Sequence, residues 1–138
     1  MSELSRTSVS QSSMNEDSIL RAIAKTFDDV HVVEADGNFF FFRGPERMFP
    51  FVTLVTNDLY DSVSNLNRSG VFRLNIGVSK KTFRSLFGSS SSPFDLTALD
   101  RLMPHPVYAP QNWVCVLNPG DETFRAIRPL LAEAYERA

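Results

Sequence analysis

Apolar positions change their period several times along the chain, and each change marks an element. Residues 1–13, MSELSRTSVSQSS, show no apolar period and hold six serines, so they bury too little to offset the entropy of ordering and read as a flexible leader. Ser13 with Glu16 fits a capping box. Ile19, Ile23 and Phe27 then recur on one helical face, which predicts an amphipathic helix over about 15–28. From Val30 the pattern shifts to β-branched and aromatic runs. VHVVEA and NFFFFR flank Asp36 and Gly37, a two-residue turn whose positions must both reach positive φ, so a hairpin is expected.

FPFVTLVT (49–56) predicts a third strand with Pro50 at its start or on an edge, and turns follow around Asp58–Asp61 and Asn67–Gly70. VFRLNIGV (71–78) alternates most clearly. Phe72, Leu74 and Ile76 share one face of this fourth strand, while Arg73 and Asn75 share the other. Ser79 caps a predicted helix with Phe83, Leu86 and Phe87 inside and Gly88 at its end. Ser89–Ser92 and Pro93 form a loop, and Asp95–Met103 has room for one helical turn. Pro104, Pro106 and Pro110 enforce an extended connector around His105 and Tyr108. WVCVL (113–117) is a fifth strand. Asn118 and Pro119 open a last helix carrying Phe124, Ile127, Leu131, Ala134 and Tyr135 on one stripe, with Pro129 expected to kink or split it. Helix, antiparallel strands, then helix define an α+β class: two layers, with about five strands packed by N- and C-terminal helices in a single domain over 14–138.

Composition narrows the class without choosing a chemistry. The 138 residues suit one core, and 43% hydrophobic with 22% charged residues is ordinary for a folded protein. Phe supplies 12 of the aromatic residues, and four of them stand consecutively at 39–42. Such a run puts two rings on each sheet face, so something must cover the second face: the 79–110 segment, a second copy of the chain in a homodimer, or an apolar ligand. Cys115 is the single cysteine, set among apolar neighbours, so it reads as a buried hydrophobe and a reducing, cytoplasmic setting is expected. No run approaches the roughly 20 apolar residues of a membrane span. His31 and His105 lie far apart, and HExxH, GxSxG, Walker A and GxGxxG patterns are all missing, so no catalytic residue, metal or cofactor is assigned.

Two candidate sites remain. The net charge is −2, yet Arg68, Arg73, Lys80, Lys81, Arg84 and Arg101 face only Asp95 and Asp100 across that stretch. With Ser79 as N-cap, Lys80, Lys81 and Arg84 project to solvent beside first-turn amides, an arrangement suited to phosphate and so to nucleic-acid backbone. The other candidate is a small-molecule or catalytic cleft built from Arg73, Asn75, His105 and Trp113, where a few polar groups would orient a ligand on an apolar wall.

The blocks FPFVTLVTNDLYD, SNLNRSGVFRLNIGV, LDRLMPHPVY and WVCVLNP together resemble a family of uncharacterised bacterial proteins without assigned activity. More distantly, QNWVCVL followed by a helix ending LLAEAYE is similar to the C-terminal part of MmcQ/YjbR-like proteins, with Asn112 where those often carry His before the Trp. That second resemblance implies an N-terminal helix, an antiparallel sheet, C-terminal helical packing and a DNA-binding role by analogy of fold.

Overall fold

A computed structural model describes residues 15–45, 49–88 and 93–138. The leader and the Ser89–Ser92 loop fall outside these. Helix α1 spans Glu16–Thr26 and begins at Asn15, not Ser13: the Asn15 side chain accepts from the Ser18 amide while the Ser18 hydroxyl receives the Asn15 amide. A reciprocal pair three residues apart satisfies two orphan donors, and Ser18 does here what Glu does in the usual box. Strands β1 (Val30–Ala35) and β2 (Asn38–Arg43) form the expected hairpin, with Asp36 and Gly37 at φ 53° and 82°.

Next come β3 (Val52–Val55), β4 (Arg73–Gly77), α2 (Lys80–Phe87), β5 (Leu102–Pro104), β6 (Trp113–Leu117) and α3 (Asp121–Arg137). The strands make one antiparallel sheet in the order β1-β2-β3-β4-β6-β5. This is the α+β fold with six strands. The additional strand is β5, in a segment expected to hold a helical turn. It is three residues long, ends on Pro104 and lies on the sheet edge, where a proline removes no ladder bond. Pro129 does not divide α3, which runs unbroken for 17 residues.

Register sorts the side chains. Leu74 and Ile76 of β4 stand between Leu54 and Val52 of β3 and Val116 and Val114 of β6, with Phe41 beyond on β2. This face is closed by Ile19 and Ile23 of α1 and by Phe124, Ile127, Leu131 and Ala134 of α3, forming the main core. Phe83 and Phe87 of α2 pack at its margin, whereas Leu86, expected inside, is exposed.

The opposite face carries Phe40 and Phe42 of β2, Thr53 and Val55 of β3, Arg73 and Asn75 of β4, and Cys115 and Leu117 of β6. No α-helix covers its centre. Leu66 comes down from the loop between β3 and β4, and Phe94, Leu96 and Met103 from the segment after α2, to make a second small core with Val55, Cys115 and Leu117. Tyr60 of the first loop meets Phe40 edge-on at 6.1 Å. Of the covers expected, the 79–110 segment supplies Phe94, Leu96 and Met103, and the loop over residues 56–72 adds Leu66 and, above Phe40, Tyr60.

Candidate functional site

The β3–β4 loop is shaped by short polar side chains before any long-range contact is made. Asp58 accepts from the Leu66 amide at 2.8 Å, Asp61 from the Val63 amide at 3.2 Å, and Asn57 from the Leu59 amide at 3.1 Å. Such side-chain acceptors replace the partners that the backbone lacks outside a sheet. Arg68 then ties the loop to the next segment by donating to the carbonyls of Ser64, Asn65 and Thr97. Asp61 and Ser64 are thereby brought over the centre of β4.

Arg73 meets them there. Its side chain is 2% exposed, and its two Nη atoms engage the Asp61 carboxylate at 2.8 and 3.1 Å. Nη1 also donates to Ser64 Oγ at 2.9 Å and Nε to Asn75 Oδ1 at 3.0 Å, while Asn75 Nδ2 donates to Thr53 Oγ1 at 2.9 Å. The hydrogen bond from Arg73 holds the Asp61 carboxyl below its usual range against the opposing effect of burial. A fork-to-carboxylate pair with a hydroxyl and an amide on its remaining donors is what a guanidinium requires to leave water.

His105, immediately after β5, is 5% exposed and belongs to the same neighbourhood. Its Nδ1 accepts from the amides of Val107 and Tyr108 at 3.0 and 2.9 Å, which places the proton of the neutral ring on Nε2. Burial lowers its pKa to about 4, the charge of Arg73 adds to this, and Asp61 opposes it. Cys115, paired in register with Asn75, hydrogen-bonds the Pro104 carbonyl, and burial pushes its thiol up to about 12. It is an inert thiol in this state.

The structure joins Arg73 and Asn75 by a hydrogen bond, and it sets His105 beside Trp113, whose carbonyl accepts from the His105 amide at 3.0 Å. Trp113 pairs with Gly77 at the far end of β4, about 13 Å along the strand from Arg73 and about 7 Å from Asn75. Its indole lies against Gly77, where an added Cβ would come within 3.0 Å of the ring. Neither of two hollows on the molecule, one between α1 and α3 and one beside Trp113, is lined by Asp61, Arg73, Asn75 or His105. The polar groups turn toward one another.

The cationic stretch divides as well. Arg68 and Arg73 are used internally, and Arg101 lies over the Phe94 ring at 5.1 Å. Lys80, Lys81 and Arg84 are exposed on α2, and none forms an ion pair among the described residues. Ser79 caps the helix through the Thr82 amide, but Glu133 of α3 approaches the same end. One Glu133 oxygen accepts from the Ser79 amide and the other from the Thr82 hydroxyl, both at 2.6 Å. Burial opposes ionisation of Glu133, yet these bonds prevail and keep its pKa low. A carboxylate of the chain itself therefore takes up part of the helix N-terminus, which confines any open anion contact to the three cations. Asp61, Ser64 and Glu133 carry no recognisable motif. The one hint to them was Arg73 in mid-strand, since a buried guanidinium implies an acid nearby.

A sheet with helices on one face and a loop-closed polar network on the other defines an α+β domain in which the buried polar groups serve one another. The chain belongs to DUF6194, a family of unknown function whose profile matches residues 14–138. No curated protein and no solved structure matches the chain, so the similarity to MmcQ/YjbR-like proteins gains no support. Among the described residues no helix is long and apolar enough to cross a membrane, and no group of three His, Cys, Asp or Glu is placed to hold a metal ion.

Proposed function

We propose that the protein is a cytoplasmic binding module that contacts nucleic-acid backbone through the solvent face of α2, and not an enzyme built on the Arg73 cluster. The observation that carries this reading is the contrast among the cations: Arg68 and Arg73 are hydrogen-bonded within the fold and Arg101 lies over the Phe94 ring, while Lys80, Lys81 and Arg84 stand exposed together on one short helix. The formal charge of −2 argues for a local contact by a few phosphates in preference to a broad electrostatic surface.

Fluorescence anisotropy with labelled single-stranded and duplex DNA tests it. Log affinity should fall against log salt with a slope of roughly 2 to 3, as three phosphate contacts require. Joint replacement of Lys80, Lys81 and Arg84 by Ala should abolish binding without changing the thermal midpoint. Undetectable binding at low salt, or undiminished binding by the triple variant, would overturn the reading.

A further inference from the structure

The groove between α1 and α3 has no part in that surface, and its chemistry is different. It encloses about 400 Å³, within the range of roughly 300–1,000 Å³ typical of small-ligand sites. The sequence explains why protein does not fill it. Its lining includes Ala22 of α1 and Ala132 of α3, two of the shortest side chains, together with Pro129, which lies within the unbroken helix α3. A proline ring inside a helix crowds the carbonyl four residues earlier, here that of Arg125, and removes the N–H that would have bonded it. The floor is apolar, formed by Ile23, Phe27, Phe124 and Leu131.

The rim carries two cations, Arg125 and Arg128, both exposed and neither in an ion pair among the described residues. Arg128 lies over the Phe124 ring at 5.9 Å, at the boundary between wall and solvent. Asp121 and Glu122, the acids nearest Arg125 in sequence, occupy the first turn of α3, where they complement the helix dipole, and Glu133, nearest Arg128, accepts from Ser79 and Thr82.

We propose that this groove binds a single-chain amphiphilic anion, an alkyl carboxylate whose tail lies along the apolar floor and whose head reaches Arg125 and Arg128. Charge complementarity selects this occupant. An uncharged alkyl ligand makes no use of the two exposed guanidinium groups, and a polyanion without a tail makes none of the apolar lining.

The probe is dodecanoate below its micelle concentration, titrated calorimetrically into the full chain. One saturable site is expected. Replacing both Arg125 and Arg128 by Gln should weaken binding about tenfold, in line with charge-assisted hydrogen bonds, and dodecanol should bind more weakly than dodecanoate by a similar factor. Ala132→Phe should fill the groove and abolish binding while the thermal midpoint stays within a few degrees, since position 132 is exposed. Joint alanine replacement of Lys80, Lys81 and Arg84 should leave dodecanoate binding unchanged. Absence of binding, retention of binding in Ala132→Phe, or equal affinity for dodecanol overturns the proposal. Self-association that Ala132→Phe removes, without any uptake of dodecanoate, would overturn it in favour of a second copy as occupant.

Discussion

The two faces of the sheet solve the same problem by opposite means. On one, Leu54, Leu74, Ile76, Val114 and Val116 meet the apolar stripes of α1 and α3, and hydrophobic burial closes the contact, with Arg43 donating to the Tyr135 carbonyl at its edge. On the other, the same strands present Arg73 and Asn75 to a loop, and closure depends on Asp61, Ser64 and Thr53 standing at the right donors. The apolar face tolerates changes of shape that keep volume, because dispersion and burial are not directional. The polar face is directional, and removal of one partner leaves a charge out of water. Buried polar groups on this second face bond to one another. They specify where a loop without helix or strand of its own must lie.

The largest expected effect sets the faces against each other. Arg73→Ala should cost about 3–5 kcal/mol by stranding Asp61, whereas the double replacement Arg73→Met with Asp61→Leu should recover most of that loss. Leu74→Ala, one residue along on the other face, should cost about 2–5 kcal/mol, with no partner substitution able to restore it. Urea denaturation of the parent chain and these three variants measures this. A double variant no better than Arg73→Ala alone would show that the network contributes packing and not charge pairing.

A somewhat smaller effect concerns pH. The folded state holds the His105 pKa at about 4, below the ordinary 6.5, so between these values the unfolded chain takes up a proton that the folded chain refuses. The contribution is complete above the unfolded value and disappears as pH falls through the folded one, amounting to about 3 kcal/mol at most. Denaturation midpoints in urea should decline from pH 6.5 to pH 4, and His105→Gln should flatten that decline. An unchanged slope in the variant would move the acid sensitivity to the carboxylates, Asp61 first among them.

The smallest effect follows the loop cover. Tyr60→Ala removes the edge contact on Phe40 and should cost about 1 kcal/mol. Its clearer signature is the rate at which Cys115 reacts with iodoacetamide in the native state. That rate should be negligible in the parent chain, whose thiol is buried with a pKa near 12, and should rise in Arg73→Ala well before it does in Leu74→Ala. Equal rates in the two variants would mean that the faces open together.

Elements with a strong local signal were legible in the sequence. The Asp36-Gly37 hairpin, the alternation in β4 and the stripe of α3 each follow from a period or a turn that neighbouring residues impose. Strand β5 was not, because three residues ending in proline carry no period, and only the ladder with Val114, Cys115 and Val116 makes them a strand. Pro129 was expected to kink or split α3; the helix is not split, and Phe124, Ile127, Leu131 and Ala134 pack into the core on both sides of the proline. Of the proposed cleft, Arg73 and Asn75 are hydrogen-bonded to each other, and His105 and Trp113 are joined through their backbones. Trp113 stands at the level of Gly77, four residues along the strand from Arg73.

What the sequence determined by itself was the sidedness of the molecule. A period of two in RLNIG sends Arg73 and Asn75 one way and Leu74 and Ile76 the other, whatever the rest of the chain does. The tertiary structure alone decided what that sidedness means. The partners of Arg73 lie 12 and 9 residues before it in a loop without periodicity, and the carboxylate at the start of α2 comes from position 133, more than 50 residues away. No local rule connects such positions. Chain closure brings them together, and with them it decides that the arginine in the strand is enclosed while the cations of α2 stay exposed.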